Sequence, residues 1–116
     1  RINEAYQRLK SPLKRAAYLC ELQGAPIQAE SNTAMPGDFL MQQMEWREAL
    51  EEADSLVQVE ALEDQVRQAR RVALERCADL IDQQQDFAGA ARQVRALMFI
   101  ARFALDIERR LEQLGQ

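Results

Sequence analysis

Glu45, Glu48 and Glu52 stand three, four and seven residues apart, so a helix through them carries all three carboxylates on one face. Leu40, Met41 and Met44 fall on the same side, and the six together span an arc of about 140° at roughly 100° per residue. Apolar side chains interleaved with carboxylates suit recognition rather than bond-making. They offer anchors inside an acidic field to a partner with basic groups. Two plainer readings stand beside this one. Both faces of the helix are buried in a larger bundle, or scattered surface apolar residues carry no meaning.

The rest of the chain holds little that could do covalent chemistry. It has no histidine, which removes the commonest general base and metal ligand. It has no glycine-rich phosphate loop, nucleophile elbow or CxxC pair. The expectation is a non-enzyme without metal or cofactor. Cys20 and Cys77 lie far apart in sequence and each replaces an apolar residue in a helical stripe, so both are expected as reduced, buried thiols in a reducing compartment. A disulfide or a reactive site is the less favoured reading. A net charge of −4 argues against nucleic acid and weakly for a basic protein partner. No run of about 18 apolar residues offers a membrane span.

The chain has 116 residues, 47% apolar and 29% charged, enough for one ordinary domain with an appendage. Five helices and no strand are expected. Ile2, Ala5, Tyr6 and Leu9 give a helix, or the end of one, over residues 1 to 10. Ser11-Pro12 restarts the chain, and Leu13, Ala16, Ala17 and Cys20 form the next stripe, stopped by Gly24. Residues 24 to 37 have no amphipathic period and read as a linker.

Residues 38 to 57 are expected as one helix capped by Asp38, with Asp54-Ser55 as a weak point. Phe39, Trp46, Leu50, Ala53 and Val57 form its core stripe, opposite the acidic face. Val59, Leu62, Val66, Ala69, Ala73, Cys77 and Leu80 make the next stripe, and residues 83 to 86 the turn. Phe87, Ala90, Ala91, Val94, Leu97, Met98, Ala101 and Leu105 make the last one. Ile100, Phe103 and Ile107 form a lesser stripe, expected to reach the N-terminal helices. Phe99 lies about 120° off the main stripe, either exposed or reaching round to another surface. Short connections between long helices imply antiparallel neighbours, hence a three-helix bundle over residues 38 to 114.

Two segments carry a family resemblance. INEAYQRLKSPLKRAAYLCELQG, residues 2 to 24, looks like the end of a J-domain, whose third helix closes with INEAYxxLxxPxxRAxYLL and is followed by a short fourth. FLMQQMEWREAL, residues 39 to 50, resembles the FLMEQMELREEL-type segment of HscB, the J-type co-chaperone of iron–sulfur cluster biogenesis. The resemblance covers nearly the whole chain and implies an L-shaped, all-α molecule. Residues 1–24 would be the last two helices of a truncated J-domain, 25–37 a linker, and 38–116 a C-terminal three-helix scaffold-binding domain.

The family resemblance implies binding of an IscU-type scaffold protein and its delivery to a specialised, HscA-like Hsp70-type chaperone. The positions it assigns to scaffold binding are Leu40, Met41, Met44, Glu45, Glu48, Glu52 and Phe99. Truncation of Leu40, Met44 or Phe99 is then expected to weaken binding and spare the fold. The His-Pro-Asp loop that signals to the chaperone is missing, so the chain reads as a fragment, beginning at Arg1, that keeps scaffold binding and lacks ATPase stimulation. Trp46 stands where many relatives carry leucine and reads as packing. The expected compartment is the bacterial cytoplasm, or the mitochondrion for a eukaryotic source. The alternative function is a helical structural module that pairs through the Leu40/Met44 face, although like charges would then oppose one another.

Overall fold

A computed structural model describes residues 12–28 and 34–115; the helix expected over residues 1 to 10 lies outside them. The described residues are all-α, in four helices: α1 (Pro12–Leu22), α2 (Phe39–Glu52), α3 (Leu56–Asp82) and α4 (Phe87–Gly115). Pro12 opens α1, where its missing N–H costs no helical hydrogen bond. Gly24, at φ +80°, ends it. The Ala25 and Gly24 amides return to the Cys20 and Glu21 carbonyls at 2.8 and 3.2 Å, closing a Schellman turn.

The helix expected over residues 38 to 57 is in fact two. α2 stops at Glu52, and Ala53 turns extended at ψ 124°. Ser55 caps α3 by accepting from the Gln58 amide at 3.3 Å, while Gln58 Oε1 accepts from the Asp54 amide at 2.8 Å. This reciprocal pair begins a new helix without Gly or Pro. Val57 therefore lies on α3, outside the core, and is 74% exposed. Asp38 occupies the N-cap position of α2, but its side chain makes no capping bond. The residue is helical itself (φ −84°, ψ −7°), which removes the extended geometry a capping side chain uses.

Helices α3 and α4 pack most extensively and are joined by the short turn at residues 83–86. Asp86 caps α4 through Oδ1, which accepts from the Gly89 amide at 2.9 Å. Trp46 of α2, Ala53 just beyond its end, Val59, Leu62, Val66 and Ala73 of α3, and Leu97, Phe99, Ile100, Phe103 and Ile107 of α4 form one buried cluster. Phe39 and Leu50 pack against it. A second cluster joins Ala16 and Cys20 of α1, Ile27, Cys77 of α3, and Ala90, Ala91 and Val94 of α4.

These two clusters correct the reading of α4. Its presumed main stripe serves α1 only in the first half, and Ala101 and Leu105 continue it into solvent. The stripe of Ile100, Phe103 and Ile107 fills the core shared with α2 and α3, and of α1 only Leu13 packs against that cluster among the described residues. The cause is helix length. At 1.5 Å per residue α1 spans only about 16 Å, so it covers one side of α4's opening turns. Between the two clusters, residues 94 to 97 of α4 are buried at four successive positions.

Candidate partner-binding face

The core side of α2 is held by aromatic packing. Trp46 stacks on Phe103 with centroids 5.9 Å apart and planes at 15°. Phe39 meets Trp46 edge-on at 5.9 Å and Phe99 edge-on at 5.8 Å. Phe99 in turn stacks on Phe103 at 5.7 Å. These contacts fix the rotation of α2 about its axis and so determine what its far side shows to water.

That far side carries Leu40, Met41 and Met44, at 65%, 68% and 57% exposure. Glu45, Glu48 and Glu52 are exposed beside them. Among the described residues none of the three glutamates forms an ion pair or hydrogen bond. The face is thus an apolar patch flanked by carboxylates that retain their full capacity to meet an external cation. Leaving three large apolar side chains in water gives up roughly 1.5–3 kcal/mol of burial each, which a docked partner would recover in part.

Phe99 does not stand with them. It is 7% exposed and belongs to the bundle core. The Arg47 guanidinium lies over its ring, 5.4 Å from the centroid. Phe99 and Phe103 floor a groove between α2 and α4 whose walls are Arg47, Leu50, Glu51, Arg102 and Asp106. On the α2 wheel, Arg47 and Glu51 fall at the Leu40–Met44 edge of the exposed face, so the groove and the face are contiguous. The expectation that truncating Phe99 spares the fold is therefore corrected, because its ring contacts two core aromatics. Sequence periodicity missed this groove, since Arg102 and Asp106 resemble any solvated helix surface.

Cys20 and Cys77 are free and buried, as their place in the stripes implies. Their thiols point to the Phe87 and Ala90 carbonyls at 3.6 and 3.7 Å. Burial pushes the Cys77 thiol from 9.0 to about 11, with smaller contributions from Cys20 and Asp82. Burial also raises Cys20, against the opposing charge of Arg95. A raised thiol supplies little thiolate, so neither cysteine is equipped as a nucleophile. No group of three or more His, Cys, Asp or Glu side chains suited to a metal occurs among the described residues. None of the described helices is long and apolar enough to cross a membrane.

A family model described as the HSCB C-terminal oligomerisation domain matches residues 35–108. The chain is 48% identical over 117 residues to the Co-chaperone protein HscB homolog of Burkholderia thailandensis, covering 98% of this chain and 66% of that protein. It is 50% identical to the Burkholderia cenocepacia homolog with the same coverage. Against the Bordetella petrii homolog it is 47% identical over 108 residues, covering 92% of this chain and 64% of that protein. The chain thus spans just under two thirds of the length of these relatives. No solved structure matches it. The family match over residues 35–108 and the close identity along nearly the whole chain show that it belongs to the HscB family.

Proposed function

We propose that this chain is the partner-binding part of a co-chaperone of iron–sulfur cluster assembly. It binds an IscU-type scaffold protein and serves its delivery to an HscA-like Hsp70-type chaperone. It acts as an adaptor without enzymatic activity, in the bacterial cytoplasm, a reducing setting that suits two free thiols. The observation that carries this reading is the exposed trio Leu40, Met41 and Met44, set among glutamates with no partner of their own. Leu40, Met41 and Met44 are the anchors, Glu45, Glu48 and Glu52 the polar rim, and Phe99 contributes from the groove floor once Arg47 yields. In this reading residues 1–24 close a J-domain, 25–37 link, and 38–116 bind the scaffold.

Calorimetric titration with purified scaffold tests it. Leu40→Ala and Met44→Ala should each weaken binding by roughly 1–2 kcal/mol, the range of an interface anchor. Their melting temperatures should match the parent, because both side chains already lie in water. No binding by the parent chain, or equal affinity in both variants, would sink the proposal.

A second reading is favoured by the family description, which speaks of oligomerisation. The same face would then seat a second copy. Sedimentation at micromolar and at about 100 μM concentration separates the two, since a face used only for scaffold leaves a monomer at both. Like charges from Glu45, Glu48 and Glu52 facing their symmetry mates weigh against the dimer.

A further inference from the structure

Arg95 is the buried charged residue of the described chain, 6% exposed in the middle of α4. A guanidinium is costly to bury unless its donors are satisfied. Here they are met by backbone. Nε donates to the Ile27 carbonyl at 2.9 Å, Nη1 to the Ala34 carbonyl at 2.9 Å, and Nη2 to the Pro26 carbonyl at 3.3 Å. No carboxylate pairs with it among the described residues. The three acceptors lie on both sides of residues 29–33. Pro26 and Ile27 belong to the stretch that leaves α1, and Ala34 to the stretch that approaches α2.

One side chain therefore gathers both ends of the connection and ties them to a third helix. The neighbouring geometry agrees. Ile27 is buried, at 4%, in the cluster that seats α1 on α3 and α4. Gln28, the next residue, takes the left-handed φ of 44°, turning the chain away immediately after the clamp. Lysine could not replace this arrangement, because its single ammonium lacks the planar fork that reaches three separated carbonyls.

We infer that Arg95 is a positioning residue: it fixes the direction of α1 relative to the exposed face of α2, so that whatever docks on Leu40, Met41 and Met44 is presented at one set angle to α1. The functional part rests on the proposed scaffold-binding role, in which the angle between α1 and that face governs how the scaffold meets the chaperone. The geometric part stands without it.

Residual dipolar couplings on the isotopically labelled chain give the test. In the parent protein, couplings from α1 and from α2, α3 and α4 should fit one alignment. In Arg95→Met the α1 couplings should shrink by about twofold or demand an alignment of their own, the mark of independent motion, while those of α2 to α4 stay in place. Scaffold affinity should change by less than about twofold, because the docking face is untouched. Arg95→Lys, which keeps the charge without the fork, should behave like Arg95→Met. Unchanged α1 couplings in Arg95→Met would show that the apolar cluster alone sets the angle and would overturn the inference. So would loss of structure throughout α2 to α4 in both variants, which would assign Arg95 to general stability. A parent chain that shows the coupled α1 but binds no scaffold would refute the proposed function and leave the geometric inference standing.

Discussion

Trp46 is 2% exposed, yet its indole Nε1 finds no hydrogen-bond partner. An unsatisfied buried donor costs about 1–3 kcal/mol. Trp46→Phe removes that donor and keeps a ring to stack on Phe103, at the cost of a small void. The two effects oppose each other, so urea unfolding should place this variant within about 1 kcal/mol of the parent. Trp46→Ala should lose about 3–5 kcal/mol, since nothing offsets the cavity. A cost for Trp46→Phe as large as that for alanine would mean the indole N–H is satisfied in solution.

Phe99→Ala belongs with the core variants and should destabilise the fold by about 3–5 kcal/mol. Its effect on binding is readable only at temperatures where the variant remains folded. The sequence placed Phe99 outside the core because periodicity records which residues share a face and not which neighbours that face meets. Cys77 gives a pH signature. Its thiol holds its proton to about pH 11 in the folded chain, whereas an unfolded cysteine releases it from about 9. The unfolded state thus binds fewer protons in that window, and stability falls as pH rises from about 9 to about 11. Cys77→Ala should show a shallower decline over the same range. Parallel curves for parent and variant would remove Cys77 as the cause.

At the scale of the helix, legibility depended on how constant the direction of burial is. α3 buries one continuous face, against the main core from Val59 to Ala73 and against the α1 cluster at Cys77 and Leu80, and that stripe could be read directly from spacing. α4 buries one side against α1 and another against α2 and α3, so its stronger stripe belonged to the shorter contact and its weaker one to the main core. No period in a single sequence reports which partner is longer. The break between α2 and α3 was only half legible. Asp54-Ser55 marked a weak point, but the new start is made by the Ser55 and Gln58 side chains, which accept from the Gln58 and Asp54 amides. Ser55→Ala should cost about 1 kcal/mol in thermal or urea unfolding by exposing an unpaired α3 amide. Hydrogen exchange should speed up over the first turn of α3 first. An unchanged exchange pattern there would show that the backbone at Ala53, not the cap, divides the two helices.

For the whole molecule, the exposed face was readable because solvent is a uniform environment: residues off the core stripe of α2 face water whatever the packing details. The groove beside it and the Arg95 clamp were not, since both depend on which helix lies across a gap. What the assembled molecule then presents is an uneven charge. Its net charge is −4, and Glu45 and Glu48 sit unpaired beside the exposed Leu40, Met41 and Met44. Charges at the rim of an interface act chiefly on association rate and much less on the lifetime of the complex. Their reach is set by salt, with screening lengths of about 14 Å at 50 mM and about 4 Å at 500 mM. Under the proposed scaffold binding, the parent chain should therefore associate more slowly as salt rises across that range. Glu45→Lys combined with Glu48→Lys should associate more slowly at low salt and lose most of this dependence. Melting should stay within about 0.5 kcal/mol of the parent, as expected of exposed positions without partners. Surface plasmon resonance at the two salt concentrations measures the rates. If parent and double variant slow by the same factor between them, the steering charge lies elsewhere and the glutamates are only the solvated border of an apolar patch.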